Sequence, residues 1–319
     1  MLTVLFATRN RADTLAAVLE HYITLKEPSG GWKLVIVDNG STAQTGELIC
    51  SYQQRLPLTY LCEPHPGKNV ALNTGLARIS GDLVLFTDDD AFPYPDWLIQ
   101  MRTAADTHPD YTIFGGTIIP RWQSPPDSWI LVWAPPGVTF TITNPLTKEG
   151  PTTSHNIFGP NMAVRADVFA GGFRFDPNVG PRGASYAMGS ETEFVRRLVD
   201  RGFRSWYCRN ATVEHLIPSS HMRMSWILNR AIRFGRGQYR MARCQQDPPF
   251  PSWLGMPRYI LGQIFLEQGR ILMALFGLDR EKLFRARWQL NYLWGQAIEA
   301  RVMRAEAVSV DQVQTSLPK

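Results

Sequence analysis

The chain has 319 residues, of which 44% are apolar and 19% are charged, and its net charge is +5. This composition is ordinary for a globular protein. Four widely separated cysteines without a CxxC pair argue against a disulfide framework and for reduced thiols in a cytosolic setting. The sequence shows no secretory signal and no apolar stretch near the roughly 20 residues that span a bilayer, so we expect a cytoplasmic protein.

The charge is unevenly distributed along the chain. Residues 221–304 contain 14 Lys/Arg and 5 Asp/Glu, a net of +9, whereas the remainder contains 19 basic and 23 acidic residues, a net of −4. A basic segment beside an acidic body indicates contact with something anionic. Phospholipid headgroups, a lipid-linked pyrophosphate and a nucleic acid are the candidates.

The first third of the chain alternates between apolar runs and helical periodicity. A helix is predicted from Asp13, and another follows the loop 65–69 and ends at Ile79. This alternation predicts an α/β fold with a mostly parallel, doubly wound sheet. Neither GxGxxG nor GxxxxGK[ST] occurs, which argues against a dinucleotide oxidoreductase or a P-loop NTPase. The predicted buried strands are Leu2–Ala7, Trp32–Val37, Leu58–Leu61 and Asp82–Phe86.

Three consecutive carboxylates, Asp88, Asp89 and Asp90, follow the fourth predicted strand. Ligands of open α/β sheets bind at the carboxyl ends of the strands. Adjacent anions repel one another unless a cation or solvent screens them, and carboxylate oxygens suit Mg²⁺ or Mn²⁺. We therefore predict a divalent-metal site here. The alternative is an acidic turn that caps a helix starting near Pro95.

Four segments together carry a specific resemblance: TRNR after the first strand, then IVDNGST, GKNVALNTGLARISGD and FTDDD. This combination resembles family 2 glycosyltransferases of the GT-A fold over about residues 1–225. The resemblance implies a nucleotide-sugar donor, with a UDP-sugar favoured, and Mn²⁺ or Mg²⁺ held by the DxD-type acids. We expect a GT-A domain over residues 1–220, a basic amphipathic helical region over 221–304 and a disordered tail over 305–319.

The resemblance also implies roles for individual residues near the donor. Asp38 would contact the base, although a turn-forming aspartate is the alternative. Lys68 would lie near the base or the phosphates, unless it is a solvated loop lysine. The implied donor contacts are Thr8, Arg9, Asp38, Lys68, Asp88, Asp89, Gly159, Asn161 and Arg223. The implied metal ligands are Asp88, Asp90 and His215.

A helix is predicted at Pro95–Ala105 and a strand at Tyr111–Ile119. They are followed by a long segment without a regular period, residues 121–154. Long loops in compact domains are usually functional or mobile. Aromatic faces stack on sugar rings, so we expect Trp122, Trp129 and Trp133 to shape an acceptor site. A hydrophobic cluster packed on the core is the alternative.

The segment Phe158–Ala163 resembles the family's stretch near the donor sugar, where Gly159 would permit close backbone approach; a plain turn is the alternative. The second acidic centre, GSETEF, departs from the family's GEDxE. Glu191 stands where an aspartate commonly acts as the catalytic base, and Glu193 is the alternative base. Ser190 and Glu193 could instead form a helix capping box.

Two short strands, Ser205–Cys208 and Thr212–Glu214, are predicted to lead to a VEH…RMS pattern that resembles the family's VxH…RxS. By that resemblance His215 would ligate the metal or touch the diphosphate, and Arg223 would neutralise leaving-group charge. A single histidine is more often structural.

Three further helices are predicted, at Trp226–Arg243, Leu254–Phe276 and Asp279–Arg304, with Pro248, Pro249 and Pro251 as breakers. The first carries a stripe of arginines, at 230, 233, 236, 240 and 243. Basic amphipathic helices with aromatic residues lie at membrane surfaces, which would place the protein peripherally on the inner face of the cell membrane. Packing on the catalytic domain and a homo-oligomer contact are the alternatives. No groove-reading motif accompanies the arginines, so nucleic-acid binding is not expected.

The leading hypothesis is a metal-dependent, inverting glycosyltransferase that moves a sugar to a hydroxyl of a saccharide or lipid-linked acceptor in polysaccharide or glycoconjugate biosynthesis. A sugar-nucleotide-forming nucleotidyltransferase is a second hypothesis, but no glycine-rich phosphate loop follows the first strand. A non-catalytic carbohydrate-binding protein on a GT-A body is the third.

If the tryptophans of the 121–154 segment line the acceptor site, replacing them with alanine should raise the acceptor KM, because a stacking surface for the sugar is lost. Steady-state kinetics with varied acceptor would measure this effect. An unchanged acceptor KM would show that the tryptophans only pack.

Overall fold

The computed structural model describes residues 1–183, 186–243, 252–253 and 255–315, with side chains to residue 306. The chain divides into two units. The first comprises residues 1–125, 136–183 and 190–219, and the second comprises residues 126–135, 184–189 and 220–319.

One mixed sheet forms the centre of the first unit. Its order is β3-β2-β1-β4-β8-β6-β9-β5, with β7 also paired to β9, and these labels denote β1 (Leu2–Thr8), β2 (Trp32–Asp38), β3 (Leu58–Cys62), β4 (Leu83–Phe86), β5 (Ala91–Pro93), β6 (Ile113–Trp122), β7 (Gly150–Thr152), β8 (Met162–Arg165) and β9 (Ser205–Ile217). The β1–β2, β2–β3, β1–β4 and β6–β9 pairs are parallel. Strand β8 is antiparallel to β4 and β6, and β5 and β7 are antiparallel to β9.

Helices connect these strands, and α5, α9, α10 and α11 belong to the second unit. In chain order they are α1 (Ala12–Ile23), α2 (Ala43–Ser51), α3 (Lys68–Gly75), α4 (Trp97–Thr107), α5 (Ser128–Trp133), α6 (Pro136–Phe140), α7 (Ala166–Ala170), α8 (Ser190–Val199), α9 (Met224–Arg243), α10 (Arg258–Phe276) and α11 (Arg280–Thr315). A two-stranded ribbon, β10 (Ser252–Trp253) and β11 (Met256–Pro257), precedes α10.

The strands β1, β2 and β4 are mostly apolar because helices cover both faces of the sheet. Along β1, Val4 and Phe6 belong to the cluster that contains Leu15 of α1. Leu5 points to the other face, into the cluster that contains Leu72 of α3. The predicted doubly wound α/β architecture with a helical C-terminal region is confirmed.

Two local expectations about the middle of the chain are wrong. The two short strands predicted after Ser205 are one strand, β9, which contains 13 residues. Its register with β6 shifts between Gly116 and Thr117, which pair with Cys208 and Thr212. The strand therefore accommodates residues 209–211 as a local irregularity and continues beyond them. The 121–154 segment is also not wholly irregular, since it contains α5, α6 and β7.

In the second unit, α9 and α11 pack closely at glycines. A Cβ on Gly235 would lie 1.9 Å from the Tyr292 carbonyl oxygen, and one on Gly295 would lie 2.1 Å from that of Ile232. Only glycine permits so close an approach of two backbones.

The arginine stripe of α9 does not lie wholly on a surface, contrary to expectation. Glu299 of α11 is 0% exposed, and its two oxygens accept from Arg236 at 2.7 Å and from Arg240 at 2.5 Å. Part of the stripe therefore serves the packing of α9 on α11.

The C-terminal boundaries also differ from the predictions. Helix α10 begins at Arg258, directly after Pro257, whereas the predicted start, Leu254, and the breakers Pro248, Pro249 and Pro251 lie outside the described residues. Helix α11 continues to Thr315, so the disordered tail is wrong for residues 305–315, where alanine and glutamate favour the helix; residues 316–319 are not described. Among the described helices, none combines the length and hydrophobicity that crossing a membrane requires.

The buried carboxylate of α11 leads to a stability prediction. Glu299→Gln should lower the free energy of unfolding by about 3 kcal/mol, because two buried guanidinium groups lose a charged partner. Thermal denaturation of the full chain would measure the change. Glu281→Gln, which removes an exposed partner of Arg285, is the matched control and should cost less than about 1 kcal/mol; equal effects of the two substitutions would contradict the assignment.

Candidate active site

The site lies where the parallel strands of the first unit end. Thr8 and Asp38 are register partners at the ends of β1 and β2, and the three aspartates follow β4. The Thr87 hydroxyl donates to the Pro160 carbonyl at 2.8 Å. The Ala91 amide donates to the Asp88 carbonyl at 3.2 Å and closes a turn over the aspartates. The sheet edge therefore concentrates polar side chains as the sequence predicts.

Lys68 bridges the two acidic centres of the sequence. Its ammonium donates to Asp88 Oδ1 at 2.5 Å and to Glu191 Oε1 at 2.6 Å. The Lys68 side chain is only 18% exposed, so it is not a solvated loop lysine. The two carboxylates raise its pKa, although burial alone would lower it. Lys68 thus remains charged and holds Glu191 beside the aspartates.

Arg11 binds the other two aspartates. Its guanidinium donates to Asp89 Oδ1 at 3.0 Å and also to Asp90 Oδ2. The Thr8 hydroxyl donates to Asp89 Oδ2 at 2.7 Å. Burial and the neighbouring Asp90 charge nevertheless raise the pKa of Asp89 to about 6. Two cations of the chain, Lys68 and Arg11, therefore share the charge of the aspartate triplet.

His215 lies beside Asp90 because β5 and β9 pair at this point, with Ala91 opposite His215. Its Nδ1 is 2.7 Å from the Phe140 carbonyl oxygen and its Nε2 is 3.5 Å from Asp90 Oδ1. Burial alone would lower the pKa of His215, but the Asp90 carboxylate raises it. With Nδ1 facing a carbonyl oxygen, Nε2 is left to face Asp90, and this use of Nδ1 is usual in metal-ligating histidines.

Helix α8 places Glu191, and two neighbours fix its position. A Cβ on Gly159 would lie 2.4 Å from the Glu191 carboxyl group, so the glycine leaves room for that side chain. The Ser190 hydroxyl donates to Asn69 Oδ1, and the Asn69 amide donates to the Asp176 and Val179 carbonyls at 2.7 and 2.9 Å. The start of α8 is thereby tied to α3, which also carries Lys68.

The alternative base, Glu193, has a different partner. Arg197, one turn later on α8, donates to its two oxygens at 2.8 and 3.0 Å. Because Ser190 bonds to Asn69 and Glu193 to Arg197, the two residues do not form the capping box that the sequence allowed. The geometry favours Glu191 as the residue that faces the aspartates.

Asp38 forms the turn that was the alternative to its base contact. Its Oδ1 accepts from the Ser41 amide at 2.9 Å, which is a turn-forming bond. Its Oδ2 accepts from the Tyr60 hydroxyl at 3.2 Å. Burial and Asp38 raise the pKa of Tyr60 to about 12. The carboxylate is 4% exposed and lies at the sheet edge, so its base contact stays a prediction.

Comparison with protein families gives a clear match. The model of "Glycosyl transferase family 2" matches residues 3–173, which is more than half of the chain. The chain belongs to glycosyl transferase family 2. The expected family, and with it the prediction of an enzyme of the glycosyltransferase class, is confirmed.

Relatives of this family 2 glycosyltransferase are distant. A glucosyl-dolichyl phosphate glucuronosyltransferase of Haloferax volcanii is 26% identical over 204 residues, which cover 62% of this chain and 64%, slightly less than two thirds, of that relative. The succinoglycan biosynthesis protein ExoM of Rhizobium meliloti is 24% identical over 241 residues, which cover 72% of each chain.

A solved structure matches almost the whole chain. The mannosyltransferase PcManGT of Pyrobaculum calidifontis, in complex with GDP-Man and Mn²⁺, aligns with a TM-score of 0.62 at 19% identity and covers 94% of this chain and 86% of that one. At this identity the likeness shows the fold alone, and it confirms the predicted GT-A fold.

One predicted donor contact of this family 2 glycosyltransferase has a structural role instead. Asn161 is 0% exposed. Its Oδ1 accepts from Trp97 Nε1 at 2.9 Å, and its Nδ2 donates to the Thr117 and Ala211 carbonyls, each at 2.8 Å. The expected donor contact through this side chain is not met, because its amide is already engaged inside the first unit.

The three tryptophans of the 121–154 segment fall into different environments. Trp122 packs edge-to-face on Phe140, with ring centroids 5.2 Å apart, and the Phe140 carbonyl is the group that orients His215. Trp129 and Trp133 belong to the second unit, where they pack on Phe284 at centroid distances of 5.7 and 6.0 Å. For these two the packing alternative is observed, and an acceptor role stays a prediction.

The remaining predicted residues lie at exposed positions. Arg9 is exposed at the end of β1. Arg223 is exposed in the second unit, directly before α9. Their contacts with donor phosphates stay predictions.

Sequence reasoning missed Arg11 and Asn69. Arg11 is the second arginine of TRNR and Asn69 follows Lys68 in GKNVALN, so both lie inside motifs that were recognised. Their partners, Asp89 and Ser190, are distant in sequence, and only the fold reveals them.

A divalent metal fits this site through few protein ligands. His215 lies beside Asp90, and Asp88 follows β4 as Asp90 does. Within the described ranges no group of three or more His, Cys, Asp or Glu side chains forms a ready metal centre. Mg²⁺ and its analogues are commonly held by one or two carboxylates together with substrate phosphates and water, and this donor set agrees with that mode.

The contact between Gly159 and Glu191 can be tested by adding one methyl group. Gly159→Ala should reduce kcat by about 100-fold, because the added Cβ displaces the proposed base. The matched control is Gly171→Ala, because the added Cβ would lie 3.4 Å from its nearest neighbour. This substitution should leave kcat unchanged. Full activity of Gly159→Ala in a correctly folded protein would contradict the placement of Glu191.

Proposed function

We propose that the protein is a metal-dependent, inverting glycosyltransferase that moves a sugar from a nucleoside-diphosphate donor to a hydroxyl of a saccharide or lipid-linked acceptor. The observation that carries this proposal is the bridge from Asp88 through Lys68 to Glu191. It brings a proposed donor-binding carboxylate and a proposed base to the same edge of the sheet. On donor entry Lys68 would pass to the diphosphate, which would free both carboxylates for their roles.

Donor binding is assigned to the ends of β1, β2 and α3. Asp38 has the position and the acceptor oxygens for a base N–H. Lys68 and Arg11 carry the positive charge that a diphosphate requires. The family match supports a nucleotide-sugar donor, and the GDP-Man complex of the structural relative agrees with it. A UDP-sugar remains the favoured donor on the family resemblance.

The names of the relatives support the acceptor class. One acts on a glucosyl-dolichyl phosphate and another belongs to succinoglycan biosynthesis. A lipid-linked or growing saccharide therefore agrees with both. We place the protein in polysaccharide or glycoconjugate assembly.

Asp90 and His215, with Asp88, would hold Mn²⁺ or Mg²⁺. When bound, such an ion supplies positive charge that stabilises the departing diphosphate. The Mn²⁺ in the structural relative agrees with this choice. Arg11 now binds Asp89 and Asp90, so its guanidinium must leave Asp90 for a cation to bind there, and the diphosphate is a suitable new partner.

Glu191 performs the proton transfer in this mechanism. Its carboxylate takes the proton of the acceptor hydroxyl while that oxygen forms a bond to the anomeric carbon. The bond from the anomeric carbon to the diphosphate oxygen breaks, and its electron pair leaves with the nucleoside diphosphate. Attack from the face opposite the leaving group inverts the anomeric configuration. Lys68 holds Glu191 in place before substrates bind.

A panel of nucleotide sugars with Mn²⁺ tests the proposal. We expect at least one donor to release its nucleoside diphosphate and to raise the melting temperature, because ligands that bind the native state stabilise it. Absence of both effects for every donor would refute the assignment, and release of pyrophosphate from a nucleoside triphosphate would identify a nucleotidyltransferase instead.

Separate substitutions test the base and the metal ligand. Glu191→Gln and Asp90→Asn should each lower kcat at least about 100-fold, because one loses the proton acceptor and the other loses a charged ligand. Steady-state kinetics with the best donor would measure both. Glu193→Gln is the control and should retain most activity. Normal turnover in Glu191→Gln, or equal loss in Glu193→Gln, would overturn the assignment of the base.

Arg11 can be tested by metal binding in the absence of a donor. Arg11→Met should bind Mn²⁺ about tenfold more tightly, because a competing positive charge leaves the aspartates. Isothermal titration calorimetry would measure the affinity. Arg9→Met removes a neighbouring exposed charge and should change the affinity less. An unchanged or weaker affinity in Arg11→Met would contradict the proposed competition.

A further inference from the structure

Helix α10 exposes an unusual number of large apolar side chains. Phe265 is 79% exposed, Leu266 65%, Leu272 57%, Met273 68% and Phe276 89%. At 100° per residue these side chains fall within an arc of roughly 120° on one face of the helix. We call these five residues the α10 apolar face.

The opposite side of α10 contacts its own unit. Ile260, Ile264, Glu267 and Ala274 are the buried residues of the helix. Within the α10 apolar face lie Gly262 and Gly269, and a Cβ added to either would meet nothing within 4 Å. The face is therefore open along its length, and no described part of the chain covers it.

The stretch from Phe265 to Phe276 encloses no charged side chain on this face, and Arg258, the exposed first residue of α10, lies at the same angle about two turns before Phe265. Between residues 259 and 276 the charged residues are Glu267, which is buried, and Arg270, which lies to one side of the arc. Soluble proteins rarely expose a continuous apolar surface of this kind unless it is an interaction site.

Cations border the α10 apolar face. The side chains of Arg270, Lys282 and Arg285 are 64%, 77% and 60% exposed. Each has an acidic partner, respectively Glu267, Asp279 and Glu281. Over residues 258–287 there are six basic and three acidic residues, so this stretch of the chain has a net charge of +3. Basic charge beside the apolar surface is complementary to an anionic one.

We propose that the α10 apolar face inserts into the interface of an anionic phospholipid bilayer, with the bordering cations at the headgroups. A broad apolar arc flanked by lysine and arginine is the pattern of helices that lie in a membrane interface. A helix seam that pairs with a second copy is narrower and is lined at the a and d positions alone. The docking surface is thus α10, and not the α9 arginines, two of which bind Glu299 inside the unit.

Vesicle flotation with the full chain tests this proposal. The wild-type protein should float with vesicles of equimolar phosphatidylglycerol and phosphatidylcholine and bind pure phosphatidylcholine vesicles more weakly. High salt should reduce binding to the anionic vesicles to about the level seen with pure phosphatidylcholine, because it screens the cations. Failure to float with the anionic vesicles would overturn the proposal.

Two pairs of variants separate the apolar and the electrostatic contributions. Phe265→Ser with Phe276→Ser should reduce partitioning about 100-fold, whereas Gln263→Ser with Gln268→Ser, at exposed polar positions of the same helix, should not change it. Lys282→Gln with Arg285→Gln should reduce binding to anionic vesicles about tenfold. Removal of the same charge in the first unit, by Lys26→Gln with Arg78→Gln, should have little effect.

Two further measurements separate membrane binding from self-association and from a failure of the proposed enzymatic activity. Donor hydrolysis should be equal in all these variants, so a failure of the proposed glycosyltransferase activity would not affect the flotation result. Light scattering after gel filtration reports the oligomeric state. A wild-type dimer that Phe265→Ser with Phe276→Ser dissociates, without flotation, would replace the bilayer with a second copy as the partner. Equal flotation of that variant and the wild type would also refute the proposal.

Discussion

The site depends on one electrostatic constraint: three aspartates and Glu191 lie together at the edge of a sheet, and the chain must offset their charge. Lys68 and Arg11 do so, each by contacting two carboxylates. Because an unpartnered buried charge is costly, the carboxylates need the two cations and the cations need the carboxylates. The four acids therefore remain close together only because these two cations come from neighbouring elements.

The fold supplies the partners for this charge balance. The end of β1 leads to Arg11, α3 carries Lys68, and β9 brings His215 opposite the turn after β4. Bonds between distant segments then fix the directions of the side chains, such as the Ser190 bond to Asn69 and the open space at Gly159. A nucleoside diphosphate with its cation carries both negative and positive charge. The diphosphate can take the place of the carboxylates beside Lys68 and Arg11, and the cation can take the place of these two residues beside the aspartates. The proposed function depends on that exchange.

Sequence patterns sufficed for the sheet and for most of the site, because both depend on local signals. Apolar runs that end in Thr8, Asp38 and Asp88 predicted the strands and the common edge. Properties that depend on distant partners were not predictable. Asn161 resembled a donor contact in sequence, but in the structure it is buried and bonded to Trp97. Residues 209–211, where the register of β9 shifts, resembled a turn between two strands. The α9 arginines have the same periodicity whether they face solvent or, as for Arg236, a buried glutamate.

The most direct test of the central claim is a crystal structure of the protein with a nucleoside diphosphate and Mn²⁺, with the anomalous signal used to place the metal. We expect the manganese beside Asp90 and His215, and the diphosphate in contact with Lys68 or Arg11, with the bond between Arg11 and Asp90 broken. Manganese and nucleotide bound away from residues 88–90, with both resting ion pairs intact, would contradict the account.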